Sequence, residues 1–287
     1  MKIGYSTNSL GDVDFQEALL ALCDQGYESI AITPDQHFLN PYSKTLVSEV
    51  RDWQQALART QMKCVVETGA RYLLDPKIKH HPTLLSDRPD ERDRRIGFLH
   101  KAINLAEEFE ADCVSLWSGA VNSYDDQDVL WRKLLDGIGE VLDYATKRGV
   151  MLGFEPEPGM FIDTVTRAEE LLKRLNQPKG LGLTIDIGHL ECLGERPLDE
   201  TVRLVSDRII NVHIDDMRVC RHEHLPLGSG DIDFIPVLHE LSAVGYHGGL
   251  HVELPRQSHR WHATAKESYE FIRNAIRSVS QVRPSVS

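Results

Sequence analysis

The segment Leu181-Gly-Leu-Thr-Ile-Asp-Ile-Gly-His189 constrains the fold of this chain more than any other. An apolar run broken by one threonine and one aspartate reads as a strand buried on both faces, as in a parallel sheet. A carboxylate almost never enters such a place unpaired. Asp186 is therefore expected near the end of a buried strand with a cation close by, and His189 just past it. Three further strand-like runs end in the same way: Gly153-Phe-Glu-Pro-Glu157, Ile209-Ile-Asn-Val-His-Ile-Asp-Asp216 and Gly249-Leu-His-Val-Glu253. Acid or imidazole groups at four strand ends, roughly one βα unit apart, predict a single site at the top of a barrel.

Taken in order, the chain repeats one pattern. Strands are expected at Lys2–Thr7, Ser29–Thr33, Lys63–Thr68, Asp112–Gly119, Val150–Phe154, Leu181–Ile187, Arg208–Ile214 and Gly248–Leu254. Apolar residues at helical spacing lie between them. Phe15, Ala18, Leu19 and Leu22 form one stripe, and Leu46, Val50, Trp53 and Leu57 another. Leu134, Ile138, Val141 and Ala145 mark a third helix, and others are expected over Asp90–Glu108, Thr166–Leu175 and Ala263–Ile276. Eight strand–helix alternations without a break in composition predict one (β/α)8 TIM barrel over residues 1–279, with 280–287 a frayed tail. No Gly-x-Gly-x-x-Gly opens the first helix, which disfavours an open dinucleotide-binding sheet. After the third strand, a segment rich in Pro, His and Asp runs to about Pro89. A loop that long in a compact domain is usually functional or disordered.

Composition narrows the partners. The net charge of −12 disfavours nucleic acid, and no apolar run approaches the ~20 residues of a membrane helix. Five scattered cysteines without a Cys-x-x-Cys pair fit reduced thiols and not a zinc–thiolate site, with Cys64 and Cys113 in the core. The N-terminus reads directly as a strand and not as a signal peptide, so a cytoplasmic protein is expected.

In a barrel of this kind chemistry sits where the strands run out. Glu155, Asp186, His213 and Glu253 all hold that position. Three carboxylates and an imidazole suit one divalent ion, Mn²⁺, Mg²⁺ or Co²⁺ in the first place, while Zn²⁺ and Fe²⁺ also fit. Four protein ligands leave about two open positions on a six-coordinate ion, which adjacent oxygens of a hydroxy-ketone would fill. Such an ion polarises the carbonyl and stabilises the enediolate left when the neighbouring C–H loses its proton. One carboxylate at the edge of the site takes that proton, and a second on the opposite face returns it.

Glu155 after Gly-Phe, Asp186-Ile-Gly-His189, Val212-His-Ile-Asp-Asp216, Leu227-Gly-Ser-Gly-Asp-Ile-Asp233 and Val252-Glu253 together resemble the sugar phosphate isomerase/epimerase superfamily. These are the xylose isomerase-like barrels that include ketose 3-epimerases, inosose dehydratase and endonuclease IV. The resemblance spans nearly the whole chain and is strongest over 150–254. It implies Glu155, Asp186, His213 and Glu253 as metal ligands, Glu155 and Glu253 as the acid/base pair, and His189 as a substrate contact. Glu157 falls near a second substrate-contacting glutamate. From the residues alone Glu155 and Glu157 compete, because side chains two apart on an extended chain point the same way; family position favours Glu155. Family members are often dimers or tetramers, so a homo-oligomer is an expectation too. Endonuclease IV fits less well. Its histidines after the third and fourth strands are replaced here by Glu67 and Trp117, and tryptophan cannot bind metal. His222-Glu-His224 is similar in part to that enzyme's Asp-x-His zinc pair, so one extra ligand position survives.

The remaining assignments are substrate contacts. His80, in Lys79-His-His-Pro82, reads either as a solvated loop residue or as one reaching over the site, as do Arg256 and His259 after the eighth strand. Trp117 reads either as core or as an apolar wall for a sugar. Asp90-Glu-Arg-Asp-Arg-Arg95 reads as a solvated helix start, and Gly228-Ser-Gly230 as a turn and not a phosphate cradle. The expected function is a metal-dependent isomerase or epimerase of a ketose or keto-sugar. A lyase or dehydratase on an inosose or 3-keto-sugar is the alternative with the same site. A non-catalytic sugar-binding barrel and an endonuclease IV-like enzyme stand further off.

Overall fold

A computed structural model describes residues 1–11, 13–121 and 126–281. The first half of the chain runs β1 (Lys2–Ser6), α1 (Phe15–Gln25), β2 (Ser29–Ile32), α2 (Leu46–Thr60), β3 (Lys63–Glu67), α3 (Pro89–Glu108), β4 (Val114–Leu116) and α4 (Gln127–Thr146). It continues with β5 (Leu152–Phe154), α5 (Val165–Arg174), β6 (Leu181–Asp186), α6 (Ile187–Leu193), α7 (Leu198–Leu204) and β7 (Ile209–Ile214). The last part is β8 (Asp216–Arg218), β9 (Arg221–Leu225), α8 (Phe234–Ala243), β10 (Gly249–Val252) and α9 (Trp261–Gln281). Strands close in the order β1-β10-β7-β6-β5-β4-β3-β2, every pairing parallel, which is the expected (β/α)8 barrel.

Local chemistry explains the boundaries. Asp14 caps α1 by accepting from Glu17 N, and Gly26 ends it in the left-handed conformation at φ 102°. The apolar run from Leu181 stops being a strand one residue before expected. Asp186 accepts from the His189 backbone N–H and starts α6 at Ile187. The fourth strand shrinks to Val114–Leu116, and α9 runs through Ser280 and Gln281, two residues of the expected tail. The rest of that tail, 282–287, lies outside the described residues. The antiparallel hairpin β8–β9 had no counterpart in the sequence reading, because Arg221-His-Glu-His-Leu225 carries no apolar alternation. No described helix is long and apolar enough to cross a membrane.

The core has two parts. Most of it packs between the barrel wall and the helices, from Phe15, Leu19 and Leu22 round to Leu250 and Ile272. A separate small cluster, Ala31, Val65 and Cys113 with Met151 and Ile210, plugs the barrel interior. Strand alternation then places Thr33, Glu67 and Ser115 on the same inner face one step higher. Above the plug the interior is therefore polar, whereas bulky branched apolar residues usually fill it.

His251 occupies that interior. It is fully buried, with Nε2 against Ser29 Oγ at 2.9 Å and Nδ1 against Asn211 Oδ1 at 2.8 Å. Gly4 and Gly249 make room for the ring, since a Cβ at either would collide with it. Burial, with the His213 charge adding to it, pushes the His251 pKa down to about 3. An imidazole held neutral in the fold but ordinary when unfolded stabilises the protein above about pH 6.5, and that contribution is lost as pH falls towards the depressed value. His251→Gln should cost roughly 1–3 kcal/mol at neutral pH. Its melting temperature should fall less steeply than the wild type's on acidification from about pH 6.5, as followed by calorimetry.

Candidate active site

Four strand ends meet at one point. Glu155 follows β5, Asp186 ends β6, His213 lies on β7 and Glu253 follows β10, and one ligand atom from each falls within 4.8 Å of all the others. His213 Nδ1 stands 3.1 Å from Glu155 Oε1, 3.2 Å from Glu253 Oε2 and 3.9 Å from Asp186 Oδ2. Ligands about 2.1 Å from a shared octahedral ion are about 3 Å apart at right angles and about 4.2 Å apart across it, so the spacing fits one cation. Two further observations agree. Asp186 Oδ2 is buried and has no hydrogen-bond partner, although its other oxygen is satisfied by His189 N. Three carboxylates around one imidazole also leave a surplus of negative charge that a divalent ion offsets.

A second ring of residues holds these four. Glu67 Oε1 stands 2.5 Å from His213 Nε2 and so fixes the imidazole with Nδ1 facing the other carboxylates. Ser6 and Thr33 hydroxyls each donate to Glu67 Oε2 at 3.2 Å, and Asn8 Nδ2 donates to Glu253 Oε1 at 2.9 Å. Burial works against charge on His213, but Glu155 and Glu67 outweigh it and hold its pKa well above the ordinary value. Burial likewise opposes charge on Asp186, and there His189, His224 and His213 outweigh it and keep the carboxyl low.

His189 belongs to a neighbouring cluster. Its Nδ1 bonds Pro156 O at 3.3 Å, while Nε2 meets His222 Nε2 at 3.2 Å, and His222 Nε2 meets His224 Nε2 at 3.1 Å. His224 Nδ1 is clasped by Asp215. Three imidazole nitrogens thus converge beside Asp186, a second group with the spacing of metal ligands. Hairpin β8–β9 is what brings His222 and His224 there.

The site opens into a cavity of about 380 Å³ lined by Glu157, His189, Trp117, His80, Arg71, Lys79 and Arg256 together with Glu155, His213 and Glu253. Of the residues expected at the site from the sequence, Asp186 lies beside the cavity without lining it and His259 does not line it; the others do. Glu157 stays outside the four-residue group. Burial, then Glu155 and Glu253, push its carboxyl up to about 8. His80, at φ 65°, anchors Nδ1 on Gly69 O at 2.6 Å and sets its ring edge against Trp117, centroids 5.5 Å apart. The long loop after β3 is therefore ordered, with His81 turned away towards Asp75 and Glu91. Arg95 corrects the sequence reading of a solvated helix start. It is 1% exposed, donates to Thr68 O at 2.8 Å and lays its guanidinium 4.4 Å from the Trp117 ring centre. Gly228 and Gly230 do form a turn, with Asp216 accepting from Gly228 N and Ile232 N.

His222 and His224, expected from the sequence to offer one extra ligand position, do reach the site, whereas the role of Glu67 against His213 and that of Asp215 against His224 are not among the expectations. An apolar run ended by an acid is the signal for these two acids, in Cys64-Val-Val-Glu67 and Val212-His-Ile-Asp215. Glu67→Gln should weaken divalent-ion binding by roughly 10- to 100-fold without unfolding the barrel, as read by Mn²⁺ titration calorimetry.

Comparison with known proteins agrees with this architecture. The model of the xylose isomerase-like TIM barrel family matches residues 19–275. The inosose dehydratase of Geobacillus thermodenitrificans is 31% identical over 140 residues, covering 43% of this chain and 46% of its own. The L-ribulose-5-phosphate 3-epimerase UlaE of Shigella flexneri is 24% identical over 217 residues, 75% of this chain and 74% of that one. The crystal structure of a D-tagatose 3-epimerase-like protein superposes with a TM-score of 0.81 at 21% identity, covering 98% of this chain and 99% of that one. With the closed barrel and the family match over almost its whole length, the chain is an enzyme that belongs to the xylose isomerase-like TIM barrel family.

Proposed function

We propose that this enzyme is a divalent-metal-dependent isomerase or epimerase that moves a proton next to the carbonyl of a ketose or keto-sugar, through an enediolate. The observation that carries the proposal is the convergence of Glu155, Asp186, His213 and Glu253 at the floor of a cavity sized for a small ligand. A divalent ion held by these four, with Mn²⁺, Mg²⁺ or Co²⁺ best suited to the oxygen-rich set and Zn²⁺ or Fe²⁺ also fitting, supplies polarisation of the substrate carbonyl.

The chain's own residues do the rest. Glu155 and Glu253 approach His213 from two different strands, so one removes the proton beside the carbonyl and the other returns it. Asn8 orients Glu253 for this work by donating to its other oxygen. His189, fixed by Pro156 O, lines the cavity beside these two carboxylates as a substrate contact. Trp117 and His80 form the aromatic wall against which a sugar's apolar face packs, and Arg256 stands at the rim. The 3-epimerase and dehydratase names of the relatives support sugar chemistry of this kind.

A second reading, dehydration of an inosose or keto-sugar, is favoured by Glu157. Burial raises its carboxyl above the ordinary range, which suits it to hand a proton to a leaving hydroxyl.

Deuterium uptake separates the two readings, and ion removal and one substitution test the site they share. Keto-sugars incubated with the enzyme in D₂O should take up deuterium beside the carbonyl without losing water, whereas net water loss selects the dehydratase. Stripping divalent ions should abolish uptake and Mn²⁺ should restore it. Glu253→Gln should lower uptake by roughly 10²- to 10⁴-fold, and unchanged uptake would remove Glu253 from the acid/base pair.

A further inference from the structure

Two cysteines far apart in the sequence meet where the β8–β9 hairpin touches α6. Cys192 stands in the last turn of α6, whose final carbonyls have no partner within the helix. The Cys220 backbone N–H supplies one, bonding Cys192 O at 2.8 Å. That bond limits how far apart the two residues lie: with standard bond lengths across it, their Cα atoms are at most about 6 Å apart. A disulfide spans Cα distances of roughly 4.4–6.8 Å. The Cys192 sulfur also faces the hairpin, since the backbone N–H of Arg221, next along from Cys220, donates to it. Burial, then the neighbouring Cys220 thiol, raise the Cys192 pKa, so the two side chains lie close enough to act on each other.

Their exposure differs in the way that thiol–disulfide exchange needs. Cys220 sits in the turn between Arg218 and Arg221 and is exposed, so a small-molecule disulfide can reach it. Cys192 is buried, shielded from such a reagent but beside Cys220. A link between them would act on the loosest part of the cavity wall. β8 already lies tight against α6, for a Cβ at Gly188 would come 2.9 Å from the Met217 side chain. β9 pairs with β8 alone, and its first residue is exposed. It nevertheless carries His222 and His224, which line the catalytic cavity and meet His189 of α6.

We propose that Cys192 and Cys220 are a redox pair, which a low-molecular-weight disulfide oxidises to an intramolecular bridge that clamps β9, and the histidine wall it carries, onto α6. Cys220, as thiolate, attacks one sulfur of the reagent; the S–S bond breaks and one thiolate leaves. Cys192, as thiolate, then attacks Cys220 Sγ, closes the bridge and expels the second thiolate. Two protein thiols are oxidised, one reagent disulfide is reduced to two thiols, and the protons lost by the cysteines end on the released thiols. Reduced, the hairpin tip is held to α6 by backbone bonds alone and can lift; bridged, it cannot. The pair needs no substrate and does not rest on the proton-transfer reading.

Incubating the whole chain with oxidised glutathione tests it, read by intact mass and by peptide mapping without reductant. The protein should lose a pair of hydrogens, with the Cys192 and Cys220 peptides joined, and dithiothreitol should reverse both changes. Trypsin cleavage after the exposed Arg221, read on reducing gels, should slow by at least about tenfold in the bridged form, because cutting there requires the hairpin to open. Cys192→Ser should stop at glutathione carried on Cys220, with cleavage as fast as in the reduced protein. Glutathione retained on Cys220 of the unsubstituted chain, a bridge to any other cysteine, or no reaction at all would overturn the pair. A bridge that leaves cleavage after Arg221 unchanged would overturn the clamp.

Discussion

Like charges crowded into a dry interior govern this molecule. Glu67, Glu155, Asp186 and Glu253 lie within reach of one imidazole, and each is nearly or fully enclosed. Left to Coulomb repulsion and desolvation, such a set would drive its members to take up protons or the structure to open. The fold answers by distributing partners: His213 between Glu67 and Glu155, Asn8 on Glu253, the His189 backbone on one oxygen of Asp186. The oxygen left over, Asp186 Oδ2, is buried without a hydrogen-bond partner, a place that suits a cation.

The parallel barrel makes that crowding achievable. Side chains two residues apart on one strand share the interior, so a plug of Ala31, Val65 and Cys113 sits directly below Thr33, Glu67 and Ser115. Small residues in the plug leave the mouth deep, and polar pairs, His251 with Asn211 and Ser115 with Thr184, bond beneath the four-residue group. The loops then need only supply walls. Trp117 and His80 come from the ends of β4 and from the long segment after β3, while the histidines of β9 arrive on a hairpin folded over the mouth.

Much of this was legible in the residues. The eight strands and the barrel followed from apolar runs separated by helical stripes, and Glu155, Asp186, His213 and Glu253 from acids or imidazole where those runs stop. What was not legible depends on contacts distant in sequence. Arg95 sits in a stretch of six charged residues, so its neighbours in the chain say solvent while its neighbours in space are Trp117 and Phe98. His222 and His224 lack the alternation that marks a buried strand, because β9 pairs on one side only and lies partly in water. Glu67 carried the same signal as the other acids, but its role as the brace of an imidazole shows only once β3 and β7 face each other across the barrel.

Asp186 does two jobs with one side chain. One oxygen starts helix α6 by accepting from the His189 backbone, and the other, without a hydrogen-bond partner, turns towards His213. The rotation of that carboxylate therefore ties the start of a helix to the spacing of the four-residue set. Since α6 carries His189 beside the mouth, the position of Asp186 and the placing of that imidazole are set together, by one hydrogen bond three residues along the chain.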